Sequence, residues 1–231
     1  MPGRCMAVVA IEAATVTDFR RTSELHHRYL AAGIFPRMGV RFLRCYHETF
    51  AASPYGKALV ARHDGELVGF LLGTVDNAAH YRWVVKERGM ALARSGATAL
   101  LCRPHVAWSF ATTRLDRYLR GLQRHLSQPA TACGPAPPGG DDGASSPLAI
   151  LTHIVTTDAV RGRGVGRQLV EAFLAQARAR GAEEARLITA SGGPAAAFYA
   201  GLGWAAVADR CARDGSRVRE YRMVLSEVEG A

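Results

Sequence analysis

The chain has 231 residues, 48% hydrophobic and 21% charged, with a formal net charge of +9. Those proportions belong to a globular chain and argue against a disordered one. They also argue against a membrane protein, because Arg or Gly interrupts every apolar run well before the roughly 20 residues a bilayer span needs. The length suits one good core, so a single elaborated domain over residues 1–231 is expected.

Five cysteines, Cys5, Cys45, Cys102, Cys133 and Cys211, are scattered with no Cys-x-x-Cys pair. That spacing supports neither a disulfide framework nor a structural zinc site and suits a reducing, cytoplasmic setting. The charge is concentrated between His80 and Gln128, where eight Arg and one Lys face only Glu87 and Asp116. A solvated helical face accounts for this cluster, and attraction of a phosphate-bearing cofactor or acidic partner is the alternative. Nucleic acid is not expected, since no repeated interleaving of basic and stacking aromatic residues is present.

Met6 to Glu12, with Val8, Val9 and Ile11, reads as a first strand rather than a signal peptide. Thr17 or Asp18 can cap a helix to about Ala31 with Leu25, Tyr29 and Leu30 on its apolar side. Pro36 marks the start of a second helix carrying Phe42, Leu43, Tyr46 and Phe50. Ala58 to Arg62 and Leu67 to Val75 flank Asp64-Gly65, a strong hairpin signal. His80 to Ser127 turns helical, with breaks expected near Gly89, Gly96 and Pro104 and a stripe of Leu115, Leu119, Leu122 and Leu126. The Pro- and Gly-rich run to Pro147 is a loop, so residues 80–147 read as a helical insertion in one fold.

Leu148 to Val155 is an apolar strand, and a glycine turn from Arg161 to Gly166 leads into a helix. Val165, Leu169, Val170, Phe173, Leu174 and Ala177 form its apolar face, and Gly181 stops it. Ala185 to Thr189 is the next strand, Pro194 to Gly201 a short helix, and Trp204 to Ala208 and Arg219 to Leu225 the last strands. Strand, glycine turn, helix and strand imply local parallel pairing, and with the hairpin they give an α/β, mixed-sheet fold.

Gly162, Gly164 and Gly166 allow close backbone approach where the strand hands over to the helix, which presents unpaired N–H groups to an anion. Arg161, Arg163 and Arg167 add charge, so the physical reading is a phosphate or pyrophosphate site. The spacing is not the G-x-G-x-x-G of dinucleotide folds, and Arg167 follows Gly166 where a P-loop has Lys.

Arg161-Gly162-Arg163-Gly164-Val165-Gly166 matches [RQ]-x-x-G-x-[GA], and here the chain resembles the GNAT acetyltransferase superfamily. Ala195-x-x-Phe198-Tyr199-x-x-x-Gly203-Trp204 agrees with a second stretch common in that family, while Gly192 stands where Asn often contacts the cofactor. The resemblance implies the GNAT fold, with the helical insertion before the cofactor-binding strand as a departure. It implies acetyl-coenzyme A as acyl donor, with its pyrophosphate on the amides of Gly162 through Arg167 and its pantetheine arm along Ile154, Val155 and Thr156. It also implies a small-molecule or amino-acid amine as acceptor, with protein amines and a non-catalytic acyl-coenzyme A sensor as alternatives. A homodimer is compatible with it.

By the same resemblance Tyr199 is the general acid that serves the leaving thiolate. The base is less defined. Ile150 and Thr152 occupy the inward positions of the cofactor strand, and strict alternation turns His153 the other way, as a structural histidine. His47, Glu48 and Asp76 are candidates from nearby elements. No metal is expected, because the eight His show no H-E-x-x-H or similar spacing. Cys102 and His105 lack a third partner for covalent catalysis.

Overall fold

The computed structural model describes residues 9–30, 34–101, 146–211 and 216–225. Met6 to Val8, the Leu115 to Leu126 stripe and the Cys102 and His105 pair therefore lie outside the described residues. Among the described residues the first element is β1 (Ala10–Ala13). Next comes α1 (Asp18–Tyr29). Neither candidate cap serves that helix. Thr17 makes no capping bond, and the Asp18 carboxylate accepts from Thr15 N–H at 2.9 Å and from Arg62 at 2.6 Å. Arg62 lies in the strand Gly56–His63, so an ion pair between elements ties the start of α1 to the sheet.

The single helix expected from Pro36 is two. Pro36 sits inside a short α2 (Ile34–Met38), and Gly39, at φ 91°, separates it from α3 (Val40–Ala52). Only glycine enters that φ region without steric cost. The hairpin forms as its turn dictates: β2 (Gly56–His63) and β3 (Glu66–Thr74) join through Asp64 at φ 51° and Gly65 at φ 79°.

Asp76 then caps α4 (Asn77–Trp83) by accepting the Ala79 N–H at 2.9 Å. A π-helical turn, Val84–Arg88, carries α4 into α5 (Gly89–Leu101) without interruption. The breaks expected at Gly89 and Gly96 are absent. Gly96 is buried, and a Cβ there would meet Met38 at 3.3 Å, so this glycine lets α5 pack closely on α2 rather than ending the helix.

After β4 (Leu148–Thr156) come α6 (Val165–Arg178), β5 (Glu184–Ala190), α7 (Pro194–Ala200), β6 (Ala205–Cys211) and β7 (Arg217–Val224). Among the described residues seven strands lie in the order β1-β2-β3-β4-β5-β7-β6. Every pairing is antiparallel except β4 with β5. One apolar core lies between the sheet and α6, built on Leu71, Ala149, Leu169, Phe173, Ala185 and Tyr221. A second fills the opposite face under α1 to α3, built on Phe19, Leu25, Phe42, Phe50, Phe70 and Leu72.

The strand β4 carries two irregularities. Leu72 of β3 pairs with His153 and Gly73 with Leu151, so Thr152 is an extra residue, a β-bulge. The parallel pairing with β5 covers only Leu148, Ala149 and Ile150. Beyond Ile150 the two strands part.

Candidate active site

The parting of β4 and β5 leaves the edge of β4 from Leu151 to Thr156 without a ladder partner on its β5 side among the described residues. Exposed main-chain groups in such a cleft can bind an extended, amide-bearing ligand arm. Ile154, Val155 and Thr156 line this stretch. At its end, Asp158–Val160 make one 3-10 turn and the chain enters the glycine turn.

Gly162 and Gly164 both take positive φ, 76° and 79°, which explains why glycine occupies them. The Arg163 N–H bonds to the Val160 carbonyl and the Arg161 N–H to Asp158, whereas the first intrahelical bond of α6 runs from Gln168 N–H to Gly164. The amides of Gly162, Gly164, Val165, Gly166 and Arg167 thus have no backbone acceptor among the described residues. These five donors and the positive end of a 14-residue helix can hold a pyrophosphate. Arg161 and Arg163 can contribute only their side chains. Arg161 is steered by Asp158 at 2.7 Å, which also accepts from the Tyr29 hydroxyl at 2.9 Å, and so α1 braces the turn. A Cβ at Gly166 would come within 3.2 Å of the Phe198 ring, so α7 packs directly on the start of α6.

That packing fixes Tyr199. Its ring lies against Phe198, Trp204 and Tyr221 at centroid distances of 5.1, 5.9 and 6.0 Å, and the residue is only 4% exposed. Burial pushes its hydroxyl well above the ordinary tyrosine range, so the group keeps its proton at every working pH. Such a hydroxyl stays a hydrogen-bond donor toward a nascent thiolate and does not act as a base, and the same burial makes it a weaker acid than a free tyrosine.

On the opposite face, the bulge at Thr152 corrects the expected orientation of His153. Leu151 and Ile154 belong to the α6 core, while His153 points to α1 and α3. Its Nε2 lies 3.3 Å from the Tyr46 hydroxyl, and its ring centroid is 4.5 Å from that of His26. His26 Nδ1 is 2.8 Å from His47 Nε2, and His47 Nδ1 is 2.9 Å from the Thr22 hydroxyl. Burial, reinforced by His26, pushes His153 down to about 3; burial, with His27 adding, brings His26 to about 4. Burial also takes His47 well below its ordinary value, with His26 and His153 adding to the effect. The cluster is therefore uncharged near neutrality. Among the described residues no three His, Cys, Asp or Glu side chains are placed to hold a metal ion.

Of the other base candidates, Glu48 pairs with Arg44 at 3.1 Å on the exposed side of α3, and Asp76 is committed to its cap. The sequence singled out His47 and His153 separately but missed Thr22, His26 and Tyr46 as their partners. A signal existed: Thr22 and His26 are four residues apart on the helix face that carries Leu25.

Residues 145–225 match the acetyltransferase (GNAT) domain model. No curated protein matches the chain. Among solved structures, one described as histone acetyltransferase HPA2 and related acetyltransferase, from Corynebacterium glutamicum, is 20% identical with a TM-score of 0.55. That alignment covers 97% of this chain and 100% of the other. The yncA protein of Salmonella typhimurium, solved with its cofactor acetyl-CoA, is 13% identical with a TM-score of 0.55, covering 96% of each chain. A ribosomal-protein alanine N-acetyltransferase from Escherichia coli is 14% identical with a TM-score of 0.53, again over 96% of each. Residues 145–225 are thus similar to the GNAT acetyltransferase domain, and the likenesses over the whole chain show a shared fold.

The similarity covers both irregularities of β4 and the glycine turn, which lie side by side within the matched residues. These residues fit acetyl-coenzyme A. Five unpaired amides face the position of a pyrophosphate, positive φ at Gly162 and Gly164 keeps side chains away from it, and the open edge of β4 suits the pantetheine amides. Gly192, at the position where the resemblance leads one to expect Asn, sits at φ 79°. Asn is the residue after glycine that tolerates this region best, so the site accepts either for the same backbone reason.

Proposed function

We propose that the protein is an N-acetyltransferase that moves the acetyl group of acetyl-coenzyme A directly to the amine of a small molecule or amino acid. The observation that carries this reading is the juxtaposition of the β4–β5 cleft, the free amides at the start of α6 and Tyr199 on the helix packed against that start. The donor supplies a thioester carbonyl open to attack by a neutral amine. Amides from Gly162 to Arg167 hold its pyrophosphate, with the guanidinium groups of Arg161, Arg163 and Arg167 around it. The main chain of Ile154, Val155 and Thr156 aligns the arm. Tyr199 gives its proton to the departing sulfur.

The insertion over residues 80–147 enters this reading as the part of a single domain that shapes the acceptor side. A protein amine is the second reading, favoured by the names of two structural neighbours, one a histone and one a ribosomal-protein acetyltransferase.

The test is thiol release from acetyl-coenzyme A with a panel of amines, comparing wild type with Tyr199→Phe. The variant is expected to lose about 10²-fold in kcat, in keeping with general acid catalysis, while calorimetry shows unchanged donor affinity. An unimpaired variant removes Tyr199 from the mechanism. A wild type that binds no donor removes the acetyltransferase reading itself.

A further inference from the structure

Resting on that acetyltransferase reading, we propose that Tyr29 is a positioning residue for the donor. Acting through Asp158, it fixes the Arg161 guanidinium beside the glycine turn, and so sets the preference for a donor that carries the pyrophosphate of coenzyme A over one that ends at pantetheine.

Three contacts join these residues into a closed set. The Tyr29 hydroxyl donates to Asp158 Oδ2 at 2.9 Å, and Asp158 Oδ1 lies 2.7 Å from Arg161 Nη1. The guanidinium carbon of Arg161 in turn lies over the Tyr29 ring, 5.8 Å from its centroid. The two carboxylate oxygens serve different partners, so the hydroxyl sets the rotation of the carboxylate and the carboxylate sets the guanidinium. The aromatic face gives the cation a second surface to rest on.

The tyrosine itself stands on a fixed element. At its start α1 is tied to the sheet by the Asp18–Arg62 ion pair at 2.6 Å, and one turn before Tyr29 its His26 lies 2.8 Å from His47 of α3. Tyr29 is the residue on which α1 ends, and its bond to Asp158 spans 129 positions of sequence. A helix on one side of the sheet thereby reaches the turn that opens α6.

Arg161 is the residue for which this matters. It directly precedes Gly162, whose N–H is the first of the five without a backbone acceptor. Its side chain is 61% exposed, so packing does not order it and the contacts with Asp158 and Tyr29 do. Arg167, by contrast, is turned toward the end of α7, 3.4 Å from the Gly201 carbonyl. The carboxylate meets Arg161 at Nη1, which leaves the other N–H groups of the planar fork for a phosphate oxygen. A guanidinium ordered before the anion arrives gives up less freedom on binding than one gathered from solvent.

An exposed ion pair of this kind adds little to folding. Its position at the anion-binding turn gives it a different use, and that use depends on the ligand. Acetyl-pantetheine has the thioester and the amides that suit the open edge of β4, but it has no phosphate for Arg161 to meet. The contribution of Tyr29 therefore belongs to acetyl-coenzyme A and is absent with acetyl-pantetheine.

The experiment uses the full-length protein. It measures acetyl-coenzyme A affinity by calorimetry, the Tm of the free protein, and thiol release with acetyl-coenzyme A and with acetyl-pantetheine. Tyr29→Phe keeps the ring and removes the hydroxyl. It is expected to weaken acetyl-coenzyme A binding about fivefold and to keep the Tm of the free protein within about 1 °C. The ratio of kcat/KM for acetyl-coenzyme A to that for acetyl-pantetheine is expected to fall by about the same fivefold, which a merely structural role would not do. In an Arg161→Gln background the same change is expected to cost less than about twofold, because the hydroxyl acts through Arg161. Where acetyl-pantetheine turns over too slowly to measure, that calorimetric cycle decides alone. The proposal is overturned if Tyr29→Phe binds acetyl-coenzyme A within about twofold of wild type, if both donors lose equally, or if the loss persists in full without Arg161. Wild-type transfer of the acetyl group upholds the acetyltransferase reading in each of those cases, whereas a wild type that binds no acetyl-coenzyme A overturns both.

Discussion

Gly73 shows how narrowly single residues constrain this sheet. A Cβ there would sit 2.5 Å from the Phe173 ring and 2.9 Å from the Ile150 carbonyl, between the core of α6 and the point where β4 leaves β5. Gly73→Ala is expected to destabilise the protein by about 3 kcal/mol, read as a lower urea midpoint at unchanged m, because neither the ring nor the main chain has room to retreat. The glycines of the cofactor turn were legible in the sequence because their requirement is local: a positive φ needs no knowledge of neighbours. Gly73 was not, since its requirement is set by an aromatic ring one hundred positions later in the chain. Tyr199 is intermediate. Its position followed from the motif, while its burial against Trp204 and Tyr221 is a property of packing alone.

Among the elements, α1 and α4 carry an acid liability. His26 and His80 are each pushed by burial from an ordinary value of 6.5 to about 4. The unfolded chain therefore binds protons that the native one refuses between those values. Stability is full above about pH 6.5, falls as pH drops, and levels off below about 4, at a cost on the order of 3 kcal/mol for each of these two histidines. Urea titrations at pH 7, 6 and 5 are expected to show a steep loss, and His80→Phe is expected to reduce the slope. A pH-independent midpoint over that range would contradict the burial of these rings. The hydrophobic faces of α1, α3 and α6 were readable from periodicity, and all six residues assigned to the α6 stripe are buried. Helix breaks were not readable: Gly89 and Gly96 lie inside a continuous helix because packing on α2 and α3 outweighs the modest helix penalty of glycine.

For the molecule as a unit, the proposed donor site spans the two halves of the sheet, because β4, α6 and the α1-braced turn all contribute to it. Acetyl-coenzyme A at a hundredfold excess over its Kd is expected to add about 2.7 kcal/mol of stability, seen as a rise in Tm. Arg163→Glu is expected to lose most of that rise, more so at low salt, since the variant sets a negative charge beside the phosphate site. An Arg163→Glu protein with a full ligand-induced shift would place the anion elsewhere. The mixed fold, the hairpin, the parallel unit and the anion-binding turn could all be read before any fold was known, because each rests on short-range signals of period, φ and charge. The facing of His153 could not. Strict alternation predicts one face, but a one-residue bulge opposite Leu72 and Gly73 reverses it, and that bulge exists only in the pairing of strands far apart in the chain. The histidine chain behind it has the same origin, since its members come from two helices and a strand that meet only when the sheet has formed.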